Sequence, residues 1–151
     1  MAEVVKITSI DEIEGIIKRA PICRLGLVDN DEPYVIPVCF GYERDVLYFH
    51  GSLKGRKVEL IRKNKKKICF EIDIDTELEK SAGPCDWVMK GKSVVGVGRA
   101  SILKDDEEKS RALKVIMGHY SQGDFSFSKS ALDSVSVVRV DISNITGKKI
   151  M

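Results

Sequence analysis

Residues 50–57 read His50-Gly51-Ser52-Leu53-Lys54-Gly55-Arg56-Lys57, a run holding one histidine, one hydroxyl, two glycines and three cations. These are the ingredients of an anion pocket. The segment before it, VLYFH (46–50), is patterned as a strand. The segment after it places Val58, Leu60 and Ile61 on one side of a helix over residues 55–64. A helix that begins here presents unpaired N–H groups and the positive end of its dipole, both of which attract an anion. Gly51 and Gly55 permit close backbone approach. Ser52 offers a hydroxyl, and Arg56 can hold phosphate oxygens through two parallel bonds. His50 ends the strand facing the same opening. The stretch is no P-loop, because G-x-x-x-x-G-K-[ST] is absent. On residue types alone it fits a phosphate pocket and a solvated cationic face, and His50 fits a ligand contact and a structural hydrogen bond.

The cations continue. From 54 to 67 there are eight against one acid, Glu59. Such a run attracts nucleic-acid backbone, but no aromatic residues interleave with it to stack bases. Lys65-Lys66-Lys67 reads more simply as a solubilising turn before a buried strand. Other constellations say less. Asp73 and Asp75 share one face of a strand end, too few ligands for a metal. His119 closes a helix, where a cation suits the dipole. Gly96-Val97-Gly98 falls within a strand, so it marks a bend or a close backbone contact and is no dinucleotide fingerprint. Cys23, Cys39, Cys69 and Cys85 form no C-x-x-C pair and sit beside apolar residues. They are expected to be reduced and mostly buried.

The elements that must position the junction follow from periodicity. Ser9-Ile10-Asp11-Glu12 is a capping box, and Ile13, Ile16 and Ile17 follow at helical spacing, so residues 10–20 form a helix that stops near Pro21. CRLGLV (23–28), YVIPVCFGY (34–42) and VLYFH (46–50), separated by short turns, predict an antiparallel meander. Pro37 places its strand at an edge or a bulge. ICFEIDI (68–74) is a further strand, residues 75–85 a loop, and 87–103 one long strand or two broken near Gly91. Asp105 to Glu108 open a helix with Ala112, Leu113, Val115, Ile116 and Met117 on its apolar side. Gly123 to Lys129 is a loop, and SVSVVRVDI (134–142) the last strand. Six or seven strands, three helices and no βαβ rhythm predict a mainly β protein, a closed or partly closed antiparallel barrel with flanking helices.

The chain has 151 residues, 43% of them hydrophobic, and a net charge of +2. This fits one domain, 1–151, with a real core, and does not by itself argue for nucleic acid. No window reaches the roughly 20 apolar residues of a membrane span. The N-terminal segment has three acids in its first twelve residues and no positive region leading into an apolar run. A cytoplasmic protein with no membrane partner is therefore expected.

Three segments taken together carry a resemblance: CRLGLVDNDEPYVIPVCFGYERDVLYFHGSLKGRK (23–57), PCDW with KSVVGVGRA (84–100), and ITGKK (145–149). With P-x-x-F-x-Y, L-Y-F-H-x-x-x-x-G-R-K and S-V-x-G-x-G in order, the chain resembles the pyridoxamine-phosphate-oxidase-like, flavin-binding split-barrel family. Within it the chain resembles the branch related to 5-nitroimidazole resistance proteins. The likeness covers nearly the whole chain. It implies a six-stranded antiparallel split barrel that binds FMN in grooves at a homodimer interface. It also implies that Arg56 and Lys57 grip the FMN phosphate, and that His50, Gly51 and Ser52 lie along the ribityl chain or phosphate. Pro37, Val38 and Cys39 would present backbone to the isoalloxazine ring, and Ser93 and Val94, with Lys92 nearby, match a strand position that contacts flavin. Trp87 would close the site or the dimer, or pack in the core. No side chain is assigned a catalytic role, and no metal is expected.

The sequence departs from the family in two places. Cys39 stands where many relatives carry a polar residue, often Asn. RVDISNITGKKIM lacks the arginine and histidine with which true pyridoxamine phosphate oxidases bind substrate, so vitamin B6 oxidation is not the expected activity. The resemblance implies an oxidoreductase passing electrons from NAD(P)H or another donor to a small nitro or quinone-like acceptor. A non-catalytic FMN carrier, sensor or electron shuttle is the alternative. A nucleic-acid module built on the 54–67 cations, and haem or a deazaflavin in the same groove, are the remaining readings.

Overall fold

Ser9 accepts a hydrogen bond from the Glu12 amide at 3.3 Å and starts α1 (Ile10–Arg19), as the capping box predicts. Acids in the first turn and Lys18 and Arg19 in the last suit the dipole. The helix buries Ile13, Ile16 and Ile17. The computed structural model describes residues 2–65 and 67–151. Its remaining elements are β1 (Val4–Ile7), β2 (Cys23–Asp29), β3 (Glu32–Val38), β4 (Phe40–Glu43), β5 (Val46–Ser52), α2 (Arg56–Lys63), β6 (Lys67–Glu79), β7 (Val88–Ile102), α3 (Asp106–Tyr120), α4 (Lys129–Asp133) and β8 (Val135–Ile150), with a short 3-10 turn at Pro84–Asp86.

The strands form one antiparallel sheet in the order β3-β2-β6-β7-β8-β5-β4, with β1 added on β8. It is a mainly β, open split barrel with flanking helices. The expectation of six strands is corrected to eight, and the hydrogen-bonded path between β3 and β4 does not close. The predicted meander is also corrected. β2–β3 and β4–β5 are two separate hairpins at opposite ends of the strand order, because the 34–42 run breaks at Cys39. Both hairpins turn on two residues. Arg44 and Asp45 have φ of 40° and 64°, the conformation of a tight primed turn. Pro33 and Pro37 lie in β3, an edge strand, where a missing N–H costs no central ladder bond.

Several lengths differ from expectation. β6 does not end at residue 74; it passes a bulge between Ile74 and Glu77 and runs to Glu79. β7 is one strand without a break at Gly91, and β8 continues eight residues beyond 142. Residues 129–133, at the end of the expected loop, form α4. Polar SNITGKK carries no clear alternation, yet β8 there lies between β7 and β1, and the neighbours extend it.

The sheet separates two apolar clusters. Leu47 and Phe49 of β5 point into the main core with Ile16, Ile17, Leu25, Phe70 and Val94, while Tyr48 points to the other face with Ala112, Leu113, Ile116 and Val137. Period two along one strand thus fastens α3 to the outside of the barrel. The cysteine expectation is corrected: Cys23 is buried, but Cys39, Cys69 and Cys85 are exposed. Burial pushes the Cys23 thiol up to about 12. No described helix is long and apolar enough to cross a membrane.

Candidate functional site

β5 delivers His50, Gly51 and Ser52 to its end, and α2 begins four residues later at Arg56. Gly55 caps α2 without a side chain, so no side chain occupies the amides of the first turn. The space around the glycines is taken. A Cβ on Gly51 would lie 2.7 Å from Lys57 Cε and 3.0 Å from its Nζ, and one on Gly55 would lie 2.7 Å from Ser52 Oγ. Lys57 therefore folds across Gly51 toward the strand, and the Ser52 hydroxyl folds toward the start of the helix. Gly51, Ser52, Gly55 and Lys57 form one cradle.

His50 borders it. Its edge is open to solvent, yet partial burial, and then the nearby Lys57 ammonium, hold the ring below its ordinary 6.5. Folding thus disfavours protonation here. Such a group contributes stability that is complete above 6.5 and lost as pH falls through the lowered folded value. His50→Gln should flatten the fall in Tm between about pH 7 and about pH 5, and leave Tm at about pH 8 within about 2 °C of the parent. A variant whose acid limb superimposes on the parent's would show that the ring is not the group titrating.

Arg56 is held from a neighbouring hairpin. It donates to Asp29 Oδ2 at 3.1 Å, and its guanidinium lies 4.1 Å from the centroid of the Tyr34 ring. Neither partner was legible beforehand. Asp29 and Tyr34 read as turn and strand residues, and only the return of β2–β3 beside α2 gives them this role. The guanidinium keeps further N–H donors for an anion.

The break at Cys39 is part of the same region. Phe40 pairs with Phe49, so Cys39 and His50 each stand one residue beyond that pair, at the same level of the β4–β5 hairpin. Tyr120, from the last turn of α3, accepts the Phe40 amide at 3.0 Å and donates to the Pro21 carbonyl at 2.8 Å. His119 donates to the Ala20 carbonyl at 2.6 Å, a tie between elements beyond the expected dipole role. The end of α3 thereby holds the start of β4 and the chain after α1. Cys39 lies between the two strands with its side chain exposed, Val38 is buried, and Pro37 pairs with Arg24 on the edge.

Ser93 and Val94 are not brought to the cradle within one chain. They lie on β7, three strands from β3 across β2 and β6, about 14 Å along the sheet. The Val94 side chain is fully buried in the main core, and Ser93 is half-buried. Trp87 is exposed, so the core-packing alternative for it is corrected; its Nε1 donates to the Ser81 carbonyl at 3.0 Å. Asp73 is paired with Arg24, and Asp75 with Arg19 and Lys92. Of the 54–67 cations, Arg56 and Arg62 are paired with acids; Lys66 lies outside the described residues. A cavity of about 740 Å³ lies beside the last turns of α2, and of the junction Leu53 lines it.

Comparison with known proteins identifies the fold and the family. A crystal structure of a protein from Bacteroides thetaiotaomicron VPI-5482, provisionally assigned to 5-nitroimidazole antibiotic resistance, is 34% identical, with 99% of this chain and 89% of that one covered and a TM-score of 0.88. The FAD and heme binding protein from Mycobacterium smegmatis shares the fold at 16% identity, with 95% and 72% of the two chains covered and a TM-score of 0.87. The uncharacterized protein RA0666 of Rhizobium meliloti (strain 1021) is 27% identical over 95 residues, or 63% of this chain. The match spans about half, 55%, of that relative's length. The family model described as Pyridoxamine 5'-phosphate oxidase matches residues 9–149, and this chain belongs to that family, in the branch related to 5-nitroimidazole resistance proteins.

Proposed function

We propose that this chain is an FMN-binding oxidoreductase that works as a homodimer, taking electrons from a reduced donor such as NAD(P)H and passing them to a small nitro or quinone-like acceptor. The observation that carries the reading is the cradle at the start of α2. An uncapped helix N-terminus, Lys57 folded over Gly51, Arg56 alongside and the Ser52 hydroxyl are the donor set a phosphate monoester requires. A protein of the same fold from Mycobacterium smegmatis binds FAD and heme, which supports a flavin as the phosphate carrier.

In this reading Arg56, Lys57 and the first-turn amides of α2 hold the phosphate. Gly51 and Gly55 leave room for the Lys57 side chain and the Ser52 hydroxyl to fold against the backbone beside that phosphate. Pro37 to Cys39 line the ring, and Cys39 presents backbone at the break between β3 and β4. The bound flavin supplies the redox chemistry, accepting and releasing electrons at its ring. The protein's own work is to orient that ring, shield one side of it and fix its charge.

Two observations support the second copy. Ser93 stands about 14 Å along the sheet from the 37–39 strand, and a second chain would bring its own Ser93 to a ring lying along residues 37–39. Val28, Val35 and Val95 are also exposed on β2, β3 and β7, with Val35 66% accessible. The Arg24 ion pairs with Glu71 and Asp73 stand between Val35 and Val95, so the face that a second copy would cover is mixed, apolar and charged.

The visible spectrum of the purified protein, FMN titration of its apo fraction and light scattering test the proposal together. Flavin bands that follow a dimer, with NAD(P)H-dependent turnover of a nitro compound or quinone, are expected. FMN bound without turnover would convert the reading to a carrier, sensor or electron shuttle. A colourless protein that takes up no FMN would overturn it.

A further inference from the structure

We infer that the cavity beside the last turns of α2 is a second binding site, for an organic anion with an apolar body. It lies between the end of α2, the end of β7, the start of β8 and the first turns of α3. Its volume, about 740 Å³, is that of a small-molecule site. The walls are of two kinds. Ile61, Ala100, Ile102 and Leu103 supply apolar surface, while Lys65, Arg99, Lys104 and Lys109 supply positive charge, and no carboxylate lines the space.

Lys109 decides the sign of the ligand. It is 8% exposed, in a helix whose other buried side chains, Ala112, Leu113 and Ile116, are apolar. Its ammonium carries three donors. Among the described residues it donates to one partner, the Leu132 carbonyl, and forms no ion pair. A buried ammonium without a counter-ion is costly, and an anion in the cavity removes that cost. Lys65, Arg99 and Lys104 also lack acidic partners among the described residues. Arg99 donates one N–H to the Lys65 carbonyl at 3.0 Å, which turns its guanidinium along the cavity edge. Arg62 is different: it is paired with Glu59 and adds little.

None of the residues assigned to the flavin lines the cavity, and most of its charge comes from the last turn of α2, the end of β7 and the start of α3. It borders the cradle through Leu53, and through Val135 and Ser136, which pair with Ser52 and Gly51, so the two are neighbouring sites. A carboxylate, sulfonate or phosphate monoester on an aliphatic or aromatic body fits both walls. A neutral apolar molecule would leave Lys109 as it is, and a bare inorganic anion would leave the apolar wall wet.

The test is titration of the full chain with 1-anilinonaphthalene-8-sulfonate, followed by fluorescence, with and without saturating FMN. One saturable site per chain is expected, displaced by octanoate and not by octanol. Lys104→Glu, an exposed change, should weaken the probe about fivefold. Lys109→Met should weaken it about tenfold or more. FMN affinity should change less than about twofold in both variants. Unsaturable binding, equal displacement by octanol, or unchanged affinity in Lys104→Glu would overturn the inference. Loss of the probe on adding FMN would assign the cavity to the flavin site and overturn it as a separate one. Because the titration is also run without FMN, failure of the flavin reading leaves this result standing.

Discussion

Replacing Arg56 and Lys57 together by alanine will lower the affinity for FMN by about a hundredfold or more while the protein stays folded. A hydrogen bond to a charged group contributes about 1.5–3 kcal/mol net, so two such groups on one phosphate supply about 3 kcal/mol or more. The fold loses much less. Arg56 gives up an exposed pair with Asp29 and a stack on Tyr34, together about 1–2 kcal/mol. Lys57 has no acidic partner among the described residues to abandon. Tm should therefore fall by no more than about 6 °C. The single variant Arg56→Lys sharpens the test, because a lysine keeps the charge and loses the two-pronged geometry. Its affinity should lie between parent and double variant. An FMN dissociation constant for the double variant within about threefold of the parent's would remove the cradle from the cofactor site, since no single retained contact could replace two charge-assisted bonds.

The parts of this molecule that were legible in the sequence are those where local chemistry decides. Ser9 and Glu12 start α1 through a bond three residues long, and Ile13, Ile16 and Ile17 turn that helix inward. Pro37 marks β3 as an edge strand because a proline has no amide to give a second neighbour. The cradle residues were legible for the same reason: they lie within eight positions of one another. What was not legible depends on distant partners. The 34–42 run reads as one strand, but Tyr120, eighty residues away, takes the Phe40 amide and the strand breaks at Cys39. The C-terminal SNITGKK has no strand pattern, and β1 and β7 make it one. Arg56 read as a phosphate contact or part of a solvated cationic face, and its partners Asp29 and Tyr34 came only with the β2–β3 hairpin. Lys109, in an ordinary polar turn of a helix, gave no sign that it would be buried.

Gly98→Ala will damage the sheet heavily, lowering stability by about 3 kcal/mol and Tm by about 9 °C. Gly96-Val97-Gly98 reads in the sequence as a close backbone contact, and the structure supplies the contact. A Cβ on Gly98 would lie 2.4 Å from the Asp141 carbonyl oxygen and 2.9 Å from its carbon. That oxygen belongs to β8, beside the register shift between Val97 and Gly98. It cannot retreat as a lysine tip could, because its strand is held on the other side by β5, from Val46 to Ser52. The strain therefore passes across the ladder toward the strand that carries His50, Gly51 and Ser52. Gly15→Ala is the matched control. It adds the same methyl group within α1 where nothing lies within 4 Å of the new Cβ. There the lost backbone entropy of glycine is the larger effect, and stability should rise by about 0.5–1 kcal/mol. Opposite signs from one chemical change would show that the sheet contact, and not the loss of glycine, sets the cost. If Gly98→Ala melts within about 2 °C of the parent, then β7 and β8 can part at the bulge, and the path from that ladder to the cradle is soft.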